Sequence, residues 1–183
     1  MKTILLNDIL SEKELFFIYN QVISSPSWSV DTTSKHLQYF SNKQFAGGAK
    51  LTAVEEESNI LNYSLYLYGQ TLVYRIAKLL EKKNIGMHTK LTRMWFLSTY
   101  TGSPLHFLHA DHDNSQEYQS ILLFLTPVWK TGWRGSFYVD GDEFKFQPGS
   151  AVIFNSSEYH TGEDPISETY NWQRVTLNMM VKC

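Results

Sequence analysis

His109, Ala110 and Asp111, followed by His160 and then by Arg174, Val175 and Thr176, are the residues whose types and spacing could do chemistry. In an extended strand, side chains two apart leave the same face, so His109 and Asp111 would aim a nitrogen and a carboxylate oxygen at one point. A later strand would deliver His160. Two imidazoles and one carboxylate on one face of an octahedron leave three positions open, the arrangement expected of non-haem Fe(II) sites that activate oxygen. His109, Asp111 and His160 are therefore the candidate metal ligands and catalytic residues. Zinc accepts the same ligand types, but its structural sites take four protein ligands, and no fourth is evident. Manganese or cobalt could occupy the same ligands without supporting the reaction. His106 and His112 stand an odd number of residues from His109, so strand alternation turns both to the opposite face.

The second chemical feature lies near the carboxy terminus, where Arg174, Thr176 and Asn178 alternate with Val175, Leu177 and Met179. A strand with that pattern puts Arg174 and Thr176 into one cavity. A guanidinium fork binds a carboxylate through two hydrogen bonds, and a threonine hydroxyl adds a third, which is what an acidic co-substrate needs. Each of these residues also has a structural alternative: hydrogen-bonded histidines, or an arginine exposed on an edge strand.

Positioning these groups requires strands. From Leu91 onward the chain breaks into short runs of aromatic and β-branched residues punctuated by Gly, Pro, Asp and Asn. Strands are expected over Leu91–Tyr100, Leu105–Asp111, Ser120–Thr126, Ser136–Val139, Glu143–Gln147, Ala151–Phe154 and Asn171–Val181, with turns at Asp140-Gly141 and Pro148-Gly149. Upstream, Ser11 and Glu14 form a capping-box pattern for a helix running to about Val22. Leu61, Leu65, Tyr68, Leu72, Ile76 and Leu79 form an apolar stripe for a second helix from about Asn59 to Lys83. Gly69 stands in its middle at a cost in helix propensity. The expected class is α+β, mainly β: a double-stranded β-helix, or jelly roll, with amino-terminal helices packed on one sheet. Residues 1–183 are expected to form a single domain, with helical support over about 1–90 and the jelly-roll core over about 91–183.

Composition narrows the function classes. The 183 residues are 43% hydrophobic, enough for one well-packed domain, and the formal charge of -2 is interspersed rather than gathered into a basic surface. Nucleic-acid binding is disfavoured on that ground. The one cysteine, Cys183, excludes an intramolecular disulfide and any Cys-x-x-Cys site, which fits a reducing, cytoplasmic location. The apolar run near Met1 is too short for a signal peptide, and no stretch reaches membrane-spanning length. The sequence carries no signal for oligomeric state.

With these pieces in order, the chain resembles the 2-oxoglutarate- and Fe(II)-dependent dioxygenases, and within them the prolyl 4-hydroxylase branch. Tyr100-Thr101-Gly102 ahead of His109-Ala110-Asp111 looks like that family's approach to its metal motif. The run from Ile121 to Trp129 looks like its following apolar strand, and Pro148 to Phe154 ahead of His160 like its approach to the second histidine. The match covers about Arg93 to Val181. It departs at Arg134-Gly135-Ser136-Phe137, where the family usually shows Gly-Gly-Glu-Leu, and at Leu123, where prolyl hydroxylases often carry a tyrosine. A lysine is common at the co-substrate carboxylate in prolyl hydroxylases, whereas Arg174 matches the wider superfamily. The second arginine of the DNA-repair dealkylases is missing after Arg174, and the presence of Asp111 argues for hydroxylation rather than halogenation.

The resemblance implies Fe(II), 2-oxoglutarate as co-substrate and O2, and admits ascorbate. It implies co-substrate contacts from Arg174, Thr176 and Tyr100, and oxidative decarboxylation to succinate coupled to hydroxylation of a C–H bond. Trp133 and Trp172, at loop borders, and Arg134 are candidates for touching substrate, although a strand tryptophan is more often packing and a loop arginine is as often solvated. The expected substrate is a peptidyl residue such as proline. The alternatives are the same chemistry on a small free molecule, and a non-catalytic jelly-roll binding module.

Overall fold

Ser11 opens the first helix as its capping pattern requires. In the computed structural model its Oγ accepts the Glu14 backbone N–H at 3.4 Å, and its own N–H donates to Glu14 Oε2 at 2.9 Å. The structure describes residues 2–25, 29–30, 49–56, 59–60, 62–99, 108–113, 117–166 and 173–182. These hold β1 (Ile4–Leu6), α1 (Glu12–Ile23), β2 (Ser29–Val30), β3 (Ala49–Glu56), β4 (Asn59–Ile60), α2 (Tyr63–Glu81), β5 (Lys90–Thr99), β6 (Tyr118–Phe124), β7 (Phe137–Val139), β8 (Asp142–Phe144), β9 (Ala151–Asn155), β10 (His160–Gly162) and β11 (Arg174–Lys182).

All the strand pairs are antiparallel. The larger sheet runs β1-β9-β6-β11-β5-β3-β2, with β4 paired to β3, and the smaller runs β10-β7-β8. Strand alternation divides the larger sheet's side chains between two cores. Ile121, Leu123, Ile153, Val175, Leu177 and Met179 share one cluster with Leu15, Ile18, Leu72, Ile76 and Leu80 of the helices. Leu122, Phe124, Val152 and Phe154 take the other face and meet Phe137, Val139 and Phe146. On β11 that second face belongs to Arg174, Thr176 and Asn178, so polar groups enter the space between the sheets at the centre of an apolar sandwich.

Several boundaries differ from expectation. The second helix starts at Tyr63, not Asn59, because Asn62 is its cap and accepts the Leu65 N–H at 3.0 Å; Asn59 and Ile60 pair with β3 instead. Gly69 lets α2 approach β5 closely, since a Cβ there would meet the Met94 sulfur and displace that side chain. The span over 1–90 also contributes β1 to β4, which helical patterning did not reveal. Of the strand expected over Leu105–Asp111, the described part, 108–111, is no continuous strand, and His109 makes a single bridge. No described helix is long and apolar enough to cross a membrane.

Candidate active site

His160 begins β10 and is held on both sides. It pairs with Val139 of β7, and on its other edge with His109. The second pairing is reciprocal: the His160 N–H donates to His109 O at 2.8 Å, and the His109 N–H donates to His160 O at 3.1 Å. The imidazoles stand with centroids 4.4 Å apart. Asp111, two residues on, turns its carboxylate to the same place, with Oδ2 3.7 Å from His160 Nε2. One ligand atom from each of His109, Asp111 and His160 lies within 4.8 Å of the others; among the described residues this is the one such group.

The surroundings prepare these atoms. His160 Nδ1 is 3.0 Å from the Glu158 carbonyl, which can only accept, so Nδ1 carries the proton and the Nε2 lone pair faces the cluster. The carbonyl is itself fixed: the Glu158 N–H donates to Asn155 O at 2.9 Å, and its side chain accepts from Thr3 and Asn155. Phe137 and Phe154 flank the His160 ring, and burial pulls its pKa below the usual histidine value, against the opposing pull of Asp111. On the carboxylate, Ser120 Oγ donates to Asp111 Oδ2 at 2.6 Å and lies 3.1 Å from Ser156 Oγ.

The arrangement fits a divalent ion. Two ligand atoms each roughly 2.1 Å from one ion stand roughly 3–4 Å apart, which matches the 3.7 Å between Asp111 and His160. Outer partners that fix tautomer and carboxylate orientation are what metal sites use. His112 is not in the group: its N–H donates to Ser156 O, and its ring lies 4.0 Å from the Tyr118 ring. His106 lies outside the described residues.

Arg174 is 2% exposed at the start of β11. Its Nε donates to Gly135 O at 2.9 Å, its guanidinium lies over Phe146, and Nη2 is buried with no hydrogen-bond partner. Burial lowers its pKa to about 10, so it remains charged at neutral pH. A buried cation with an unused donor is costly unless something accepts from it, and a carboxylate has the chemistry to be that acceptor. Thr176 shares the face, and its hydroxyl accepts from Asn178 Nδ2 at 3.2 Å while keeping its own proton to donate. The seat depends on Gly135, at φ +85°, where a Cβ would sit 2.8 Å from Trp129 and 3.2 Å from Arg174 Cδ.

The other candidates are placed differently. Trp133 is 7% exposed and edge-on to Trp129. Arg134 is exposed and lies 3.9 Å from Glu163. Tyr100 and Trp172 lie outside the described residues. Ser120, Ser156, Gly135 and Asp164 were not singled out from the sequence. Ser120 had a visible signal, since it is a small polar residue in register with Leu122 and Phe124 on the inward face of an apolar strand.

No protein-family model matches the sequence, and no curated protein matches it. Similarity appears at the level of the fold, which is the jelly roll of 2-oxoglutarate- and Fe(II)-dependent oxygenases, prolyl hydroxylases among them. A 2OG-Fe(II) oxygenase family oxidoreductase from Burkholderia pseudomallei superposes with a TM-score of 0.68 at 13% identity, covering 98% of this chain and 84% of that one. A prolyl hydroxylase from Trichoplax adhaerens, in complex with a peptide fragment of the hypoxia inducible factor oxygen degradation domain, gives 0.62 at 15% identity, covering 98% and 83%. The non-haem alpha-ketoglutarate-dependent epimerase SnoN from nogalamycin biosynthesis gives 0.68 at 10% identity, covering 98% and 78%.

Proposed function

We propose that residues 1–183 form one 2-oxoglutarate- and Fe(II)-dependent dioxygenase domain, with α1 and α2 bracing the larger sheet, that hydroxylates a C–H bond on a peptidyl residue such as proline. The observation that carries this reading is the convergence of His109, Asp111 and His160 within 4.8 Å of one another. The buried, incompletely bonded Arg174 supports it from the same inter-sheet space.

His109 Nε2 or Nδ1, His160 Nε2 and an Asp111 oxygen would hold the ion, and two neutral imidazoles with one carboxylate leave it a net positive charge for an anionic co-substrate. Bound Fe(II) with 2-oxoglutarate supplies the oxygen-activating chemistry, succinate and carbon dioxide being the co-products. Arg174, with Thr176 and Tyr100, would bind and orient the far carboxylate. Ser120 holds Asp111 in one orientation, and Phe137, Phe154 and Phe146 keep bulk water from the inner side of the site. Trp133, Trp172 and Arg134 are the proposed substrate-side residues.

The same chemistry on a small free molecule is the second reading, favoured by the likeness to SnoN, whose TM-score exceeds that of the peptide-bound prolyl hydroxylase. Incubation with Fe(II), 2-oxoglutarate and ascorbate, beside proline-containing peptides in one arm and small metabolites in the other, separates the two. A one-oxygen mass gain on a peptide with equal succinate release is expected. Turnover confined to free molecules would move the assignment to the second reading, and no succinate with either class would remove the catalytic one.

A further inference from the structure

Two buried polar atoms of complementary chemistry are left without partners, Arg174 Nη2 on β11 of the larger sheet and Asp164 Oδ1 two residues past β10 of the smaller one. The register that pairs His160 with Val139 and Pro165 with Arg134 sets Asp164 opposite Gly135, whose carbonyl holds Arg174 Nε. Alternation puts the Asp164 side chain on the same face as His160, while Glu163 turns the other way and accepts the Ser136 N–H. A carboxyl group therefore lies within electrostatic reach of the guanidinium read as the diacid anchor, and the two orphaned atoms do not bond each other.

An ionised carboxylate there would repel an incoming diacid, whereas a protonated one offers it an O–H donor. We propose that Asp164 belongs to the co-substrate site and binds the far carboxylate of 2-oxoglutarate as the neutral acid, so that each diacid bound brings one proton with it. The inference rests on the reading of Arg174 as the anchor. Burial already raises the Asp164 carboxyl to about 6, with Glu163 on its own segment acting in the same sense and Arg174 from β11 in the opposite one. A carboxylate seated on Arg174 offsets that cation and raises Asp164 further. Above the pKa of the free protein, affinity then falls by about tenfold per pH unit, because the competent form is the protonated one.

Calorimetry on Mn(II)-loaded protein between about pH 6.5 and 8.5 tests this without turnover, using buffers of different ionisation enthalpy. 2-Oxoglutarate is compared with pyruvate, which shares the keto-acid end and lacks the far carboxylate. The expected result is uptake of about one proton per 2-oxoglutarate and none per pyruvate. Asp164→Asn, which keeps an N–H donor without the charge, is expected to bind 2-oxoglutarate at least about tenfold tighter than the wild type at pH 8, with a flat pH profile. Proton uptake that is absent with 2-oxoglutarate, or equal with pyruvate, overturns the role of Asp164 and leaves the anchor standing, as does weaker binding by Asp164→Asn. Mn(II) binding with no 2-oxoglutarate binding at any pH overturns the anchor and the inference together.

Discussion

His109 and His160, 51 residues apart in sequence, face each other across an antiparallel bridge in which each donates its backbone N–H to the other's carbonyl, at 3.1 and 2.8 Å. The bridge makes the spacing of the two imidazoles a property of the main chain. His109 is exposed, so His109→Ala should change stability by less than about 0.5 kcal/mol. His160→Ala removes a ring packed against Phe137 and Phe154 and should cost about 1–3 kcal/mol. Both should abolish the rise in melting temperature that divalent metal gives the wild type. Denaturant melts without metal check the first half, and thermal melts with and without metal the second.

Ser120→Ala should lower metal affinity about 10–100-fold while the fold is kept, because Asp111 loses the 2.6 Å hydrogen bond that fixes its carboxylate. Ser156→Ala, one hydroxyl further out, should have a smaller effect. Competition binding against a metal-sensitive dye ranks the two, and the reverse order would place the orienting role elsewhere.

Gly135→Ala should strain the backbone at φ +85° and push on Trp129 and Arg174 together. About 1–3 kcal/mol of stability should be lost. Equilibrium binding should show weakened 2-oxoglutarate affinity with unchanged metal affinity, since the displaced carbonyl holds Arg174 Nε and touches no proposed ligand.

Acid should reveal the link between α1 and α2. The Arg75 hydrogen bond, followed by the Ser11 backbone N–H, holds Glu14 at about 2. Its folded pKa is depressed, so the stabilisation is complete above the unfolded carboxylate value of 4.5 and is lost as pH falls toward 2. Both side chains are about 40% exposed, and solvent screening limits the contribution to about 1 kcal/mol or less. Glu14→Gln, which can still serve the capping box, should be less stable than wild type at pH 7, with the difference vanishing near pH 2 in urea melts.

What could be read from the sequence followed periodicity. Arg174, Thr176 and Asn178 were legible because a long central strand keeps a strict period of two, and the α1 cap because Ser11 and Glu14 satisfy each other locally. His109 and Asp111 converge with His160 although 108–111 is not a continuous strand, since one bridge suffices to aim both side chains. β1 was hidden because three residues, Ile4 to Leu6, show no period. The α2 start was misplaced because Asn59 and Asn62 are both capping types, and only tertiary pairing with β3 decides between them. Asp164 was hidden because its meaning comes from Gly135 across the ladder and Arg174 on another sheet, and neither relation leaves a local pattern.

Anaerobic Fe(II) titration of the wild type beside Asp111→Ala tests the central claim most directly. One tightly held iron per chain in the wild type, weakened at least about a hundredfold by the substitution, is the predicted result. Equal iron uptake by both proteins, or none by the wild type, would contradict the metal site on which the oxygenase reading stands.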